Sequence, residues 1–166
     1  VSYSNESIRQ LERASLRSFL QRIGQKYLRG RVLDFGAGTA ATCQKPQPYK
    51  DLVSGEYLPY DVGDDELPAG PYDAILCTQV LQYLEDPEGV LTSFRMWLEP
   101  KGHLVMTYPT NWPEVEPSDL RRFTKAGVEK MLASIGFEVI AHERRGVISL
   151  NGFELALGYG VVARTI

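Results

Sequence analysis

Apolar residues recur at helical spacing near the start of the chain, at Ile8, Leu11, Phe19, Leu20, Ile23 and Tyr27, with Ser15 on the same face. That period predicts an amphipathic helix from about Asn5 to Tyr27. The pattern then changes to short apolar runs. Arg31 to Phe35 reads as a buried strand and Glu56 to Tyr60 as a second, ending at Asp61. Tyr72 to Leu84 reads as a strand running into a helix. Asp86-Pro87 is a helix start, with Asp at the cap and Pro in the first turn, and Val90, Leu91, Phe94, Trp97 and Leu98 line one face behind it. Gly102 to Tyr108 is a further strand, followed by a polar, proline-rich loop from Pro109 to Asp119. Thr124 caps a helix that runs through Ile135 and stops at Gly136. Phe137 to His142 and Phe153 to Ala163 close the chain as an antiparallel pair at one sheet edge.

Strands that alternate with helices predict an α/β fold, a three-layer sandwich around a mostly parallel, twisted sheet of about six strands. All 166 residues form one domain, a leading helix over residues 1–30 and a core over 31–166. Two stretches are short for this plan. Pro46 and Pro48 interrupt the helix expected after the first strand. Val62 to Pro71 is too brief for a complete helix plus a strand, so one crossover is lost or shrunken.

A hydrophobic share of 43% with 23% charged residues is that of a water-soluble globular domain. No apolar run reaches membrane-spanning length and no leader segment is visible, so a cytoplasmic setting without membrane association is expected. The first residue is Val, which leaves the natural start open. A net charge of −3 argues against nucleic acid as partner. Charge is uneven, however: between Ile8 and Arg31, Arg9, Arg13, Arg17, Arg22, Lys26, Arg29 and Arg31 stand against Glu12 alone. A solvated face explains this; a surface for an acidic substrate, carrier or protein partner is the sharper alternative. Cys77 reads as a core residue, and two isolated cysteines with two histidines give no metal-ligand spacing.

The candidate chemistry lies in Val32-Leu33-Asp34-Phe35-Gly36-Ala37-Gly38-Thr39-Ala40, where an apolar strand delivers an Asp into a glycine turn. Glycine permits unusual backbone angles and a close approach of a nucleoside-bearing ligand. Thr39-Ala40-Ala41 can open a helix whose free N–H groups face an anionic group. With Tyr72-Asp73 and its strand, and then Leu98-Glu99-Pro100-Lys101-Gly102 and its strand, the order resembles the class I S-adenosylmethionine-dependent methyltransferases. The likeness covers nearly everything from Arg31 onward. It is nearest to a small-molecule-type branch in which Arg-Phe-Thr opens a late helix, here Arg122-Phe123-Thr124. Departures are Ala40 at the third glycine, Gln82-Tyr83 where many relatives carry His, and Ser118-Asp119-Leu120 before Arg122.

The resemblance implies a Rossmann-like fold, S-adenosyl-L-methionine as cofactor, and a site beyond the carboxyl ends of the strands. Gly36, Ala37 and Gly38 would let the cofactor's amino-acid end approach the backbone, and Asp34 would brace the loop or reach the ammonium through water. Asp61 would accept both ribose hydroxyls with its two oxygens, or else belong to the adenine-side loop; the strand leading to it favours the ribose. Asp64 or Asp65 would accept from the adenine amino group, Leu67 would wall the ring, and Thr78 and Gln79 complete the rim. Tyr83, Tyr108, Asn111 and Trp112, with Glu114 and Asp119, occupy loops facing the acceptor, with the core an equal alternative for each aromatic. Arg121 and Arg122 read as a solvated approach to the late helix. No general base stands out. The implied activity is methyl transfer to a small-molecule or carrier-bound acceptor by in-line displacement. The alternatives are a catalytically silent cofactor-binding regulatory or scaffold subunit, and a nicotinamide-dependent oxidoreductase, since Gly36-x-Gly38-x-x-Ala41 also fits a relaxed dinucleotide fingerprint.

Overall fold

In the computed structural model, residues 4–38, 47–63 and 66–166 are described. Thr39 to Ala41, Cys43, Pro46, Asp64 and Asp65 therefore lie outside the described residues. The leading helix α1 (Asn5–Phe19) starts where the Ser4 hydroxyl accepts from the Ser7 amide. It is not the single helix that the periodicity predicts. A π turn over Leu20–Gly24 follows, and then a short α2 (Gln25–Tyr27). The wider turn accommodates consecutive inward residues, since Phe19, Leu20 and Ile23 are all buried.

Six strands follow: β1 (Arg29–Phe35), β2 (Ser54–Tyr60), β3 (Tyr72–Thr78), β4 (Leu98–Pro109), β5 (Phe137–Leu150) and β6 (Phe153–Thr165). Their order in the sheet is β2-β1-β3-β4-β6-β5. β1 pairs in parallel with β2 and β3, and β3 with β4. β6 is antiparallel to both β4 and β5, which gives the expected edge pair. The described stretch between β2 and β3 holds neither helix nor strand, so the shortened crossover is real.

Period-two alternation sends successive residues to opposite layers. Val32, Ala74 and Leu76 pack with Leu16, Phe19, Leu20 and Ile23 of the leading helix. Leu33, Phe35, Ile75 and Cys77 pack on the other face, against helices α3 (Pro87–Trp97) and α4 (Lys125–Ile135). Both helices begin as the sequence dictates. Asp86 accepts from the Gly89 amide at 2.9 Å and Thr124 from the Gly127 amide at 3.1 Å.

β5 and β6 are longer than the apolar pattern suggests. Charged residues Glu143, Arg144 and Arg145 sit inside β5, and Asn151-Gly152, both at positive φ, form the tight turn to β6. α1 lies so close to β6 that a Cβ at Gly160 would stand 2.5 Å from the Phe19 ring. Gly160→Ala is expected to lower stability by about 1–3 kcal/mol through forced displacement of that ring, read as a lower denaturant midpoint with native-like circular dichroism.

Candidate functional site

At the carboxyl end of β1 the chain enters a turn with Gly36 at φ +82° and Gly38 at φ +74°. A side chain at Gly36 would also stand 2.3 Å from the Val80 methyl. The amides of Gly36 and Ala37 both donate to the Tyr60 carbonyl, at 2.8 and 3.1 Å, which ties this turn to the end of β2. Asp61 follows directly. Its Oδ1 accepts from the Val62 amide at 3.1 Å.

These elements enclose a cavity of about 700 Å³. Of the sequence-predicted residues, Gly36, Ala37, Gly38, Asp61, Thr78, Gln79 and Tyr83 line it together. Pro48, Tyr49, Glu116 and Ser118 contribute too; sequence reasoning had placed none of them at the site, and had noted Ser118 only as a departure before Arg122. The only signal for Pro48 and Tyr49 was their place after the glycine turn. Gln79 is held at φ +57°, its amide donating to the Thr107 carbonyl at 2.9 Å and its side chain reaching the Thr107 hydroxyl at 3.3 Å. Tyr83 lies on the short helical turn Leu81–Tyr83, and burial raises its hydroxyl pKa.

Asp34 sits differently from either expected role. It is fully buried within β1, where its Oδ2 accepts from the Tyr57 hydroxyl at 2.5 Å. Among the described residues its Oδ1 has no hydrogen-bond partner, and Asp34 is not among those that line the cavity. Asp34 therefore braces the neighbouring strand. Desolvation pushes its carboxyl up to about 6, against the weaker lowering effect of the Tyr57 hydrogen bond.

Three other expectations need correction. Tyr108 is fully buried; its hydroxyl shares a 2.6 Å hydrogen bond with His142 Nε2, whose Nδ1 meets Glu129 at 3.0 Å. Asn111 spends its amide on the Ala156 carbonyl at 2.8 Å, fastening the loop to β6. Leu67 packs against the hydrophobic core rather than lining the cavity. Trp112 is half-buried and lines a smaller cavity of about 360 Å³ with Arg9, Glu12, Arg13, Pro113, Glu114 and Val115.

Arg121 and Arg122 are not a solvated approach. Arg121 donates to the Glu85 carbonyl at 2.9 Å. Arg122 donates to Asp119 at 2.6 Å and to the carbonyls of Trp112 and Pro113 at 2.9 and 2.8 Å. Asp119 is thus a structural anion, its pKa held down by the Arg122 guanidinium, and it fixes the loop that carries Glu116 and Ser118. Among the described residues, no group of three or more His, Cys, Asp or Glu side chains could hold a metal ion.

The profile of a methyltransferase domain matches residues 7–157. The chain belongs to the class I S-adenosylmethionine-dependent methyltransferases. This family's cofactor is S-adenosyl-L-methionine, and membership displaces the nicotinamide alternative. Comparison with curated proteins returns no sequence match. Solved structures share the fold at low identity. A chain from the complex of the Haloferax volcanii Trm112 methyltransferase activator with a methyltransferase is 13% identical, with a TM-score of 0.65, covering 96% of this chain and 91% of that one. The magnesium protoporphyrin IX methyltransferase of Synechocystis PCC 6803, solved with bound S-adenosylhomocysteine, is 14% identical with a TM-score of 0.61, covering 100% and 89%. A methyltransferase from Archaeoglobus fulgidus is 14% identical with a TM-score of 0.63, covering 95% and 94%. Among the described residues, no helix of this methyltransferase is long and apolar enough to cross a membrane.

The buried Asp34 has a measurable consequence. Folded, its carboxyl keeps a proton up to about pH 6; unfolded, it releases it near its ordinary value of 3.8. Between those values the native state binds more protons, so this group's contribution to stability falls as pH rises, by about 3 kcal/mol across the window. Asp34→Asn is expected to flatten the pH dependence of urea unfolding between pH 4 and 7. An unchanged slope would show that the carboxyl is solvated in the folded state.

Proposed function

We propose that this methyltransferase moves the methyl group of S-adenosylmethionine onto a small-molecule or carrier-bound acceptor by in-line displacement. The observation that carries this reading is a second cavity, about 400 Å³, beside the cavity of the glycine turn. The two share Pro48, Tyr49 and Gln79 as common walls. A binding site alone needs one chamber; transfer needs two that meet.

The larger cavity fits the cofactor. Its volume lies in the range of about 300–1,000 Å³ that takes ligands of this size. Its lining combines bare glycine backbone with one carboxylate at the tip of β2. The amides of Gly36 and Ala37 are already engaged by Tyr60, so the turn offers closeness rather than donors, and Gly38 borders the amino-acid end. Asp61, directly after β2, takes the ribose diol, one carboxylate oxygen for each hydroxyl. Thr78, Gln79 and Tyr83 border the reacting end. When bound, S-adenosylmethionine supplies a methyl group on a cationic sulfur that leaves as a neutral thioether. The chain's contribution is to align acceptor, methyl and sulfur and to exclude water, which suffices for a nucleophile with a free lone pair.

A silent cofactor-binding subunit is the second reading. It is favoured by Gln82-Tyr83, the pair that stands where many relatives carry His; Gln82 is buried with its amide on the Gln79 carbonyl at 2.9 Å.

Titration calorimetry should show binding of both S-adenosylmethionine and S-adenosylhomocysteine. Asp61→Ala is expected to weaken both by about ten- to a hundredfold, the loss of charge-assisted hydrogen bonds. Gly36→Ala should abolish binding through its positive φ and the Val80 contact. Absence of binding in the wild type sinks the proposal. Binding without methyl transfer to any acceptor in a cell extract selects the silent reading.

A further inference from the structure

Resting on that reading, we propose that the acceptor carries an anionic group, a carboxylate or a phosphate, seated by Arg13 and Arg9 of α1 at the far end of the second cavity. Residues 9, 12, 13, 16 and 17 share one helical face. Glu12, Arg13, Leu16 and Arg17 line the chamber that adjoins the cofactor cavity. Arg9, Glu12 and Arg13 line the next, which Trp112 bounds. Arg13 and Glu12 are thus common to both chambers, and the chambers form a path from Gln79 outward.

The charges along this path are unequally matched. Glu12 is engaged by Arg145, whose side chain is 1% exposed and stands 3.2 Å from the Glu12 carboxylate. Arg17 is paired with Asp51 and donates to the Pro48 carbonyl at 3.0 Å. Neither Arg9 nor Arg13 has a hydrogen-bond or ion-pair partner among the described residues, and both are exposed at the rim. On the facing wall Glu114 is, among the described residues, the only carboxylate lining the outer chamber besides Glu12, and Arg122 shares its field. Glu116 faces the cofactor cavity instead. The neutralised Glu12 and Arg17 leave two guanidinium groups to act on a ligand.

The rest of the path is less polar. Leu16, Pro48 and Tyr49 line the inner chamber, and Trp112 with Pro113 and Val115 the outer one. Such walls suit an apolar or flat body between the reacting atom and the anion. Guanidinium forks match carboxylate and phosphate oxygens in a way an ammonium does not.

The probes are 2-naphthoate, 2-naphthyl phosphate and neutral 2-naphthamide, titrated into the full chain and followed by the Trp112 indole N–H resonance. Each titration is run without cofactor and again with saturating S-adenosylhomocysteine. At least one anion should bind saturably and less tightly as salt rises, with naphthamide about tenfold weaker. Whichever anion binds tighter names the acceptor's group. Arg13→Gln should weaken the anion about tenfold, and Arg13→Lys, which keeps the charge, by less. S-adenosylhomocysteine affinity should stay unchanged in both variants, which also reports on their folding. Equal binding of naphthamide and the anions, no binding of either anion, or an Arg13→Gln variant that binds as the wild type does, each overturns the assignment. Because the titration without cofactor reads the cavity alone, failure of S-adenosylhomocysteine to bind would count against methyl transfer and not against the anion site.

Discussion

One carbonyl organises the edge of the main cavity of this methyltransferase. The Tyr60 oxygen receives the amides of both Gly36 and Ala37, so the tips of β1 and β2 are locked to each other where the cavity opens. A turn with two glycines at positive φ would otherwise sample many shapes. The anchor fixes the turn and, in the same stroke, sets Asp61 next to it. Glycine is needed here for conformation and for clearance from Val80, while the amides themselves serve the fold.

Buried charge does comparable work around the walls. Asp34 and Tyr57 couple β1 to β2 beneath the turn. Arg145 reaches from β5 to Glu12 and so holds one face of α1 toward the cavities. Arg122 and Asp119 knot the loop after β4. Each pair joins elements distant in sequence or closes a loop that lacks regular structure. A lost partner would leave its mate buried and uncompensated, which costs far more than an exposed ion pair contributes.

Much of this was legible beforehand, because it depends on local rules. The strand-to-glycine turn, the Asp86 and Thr124 caps, the stop at Gly136 and the shortened crossover all follow from spacing and side-chain type. The cavity residues Gly36 to Gly38, Asp61, Thr78 and Gln79 follow from strand ends. What failed depends on tertiary partners. Tyr108 looks like a site aromatic until His142 arrives from β5 to cover its hydroxyl. Asn111 and Arg122 look available until backbone carbonyls claim them. The length of β5 was hidden because Arg145 is charged yet buried, which no hydropathy pattern reveals without its partner Glu12. The Asn151-Gly152 turn was the one local signal that could have extended it.

The shortened crossover leaves β2 at the border of the sheet, with no further strand beyond it among the described residues. Ser54 donates to Leu28, and Tyr60 accepts from Gly36, so the backbones of alternate residues 54, 56, 58 and 60 turn toward β1. Gly55, Tyr57 and Pro59 consequently point their backbones outward, and Pro59 has no amide hydrogen to offer. A border with so few donors is a poor template for strand addition by another chain. Losing a strand thus does not create a self-adhesive rim: the ring of a single proline blunts it.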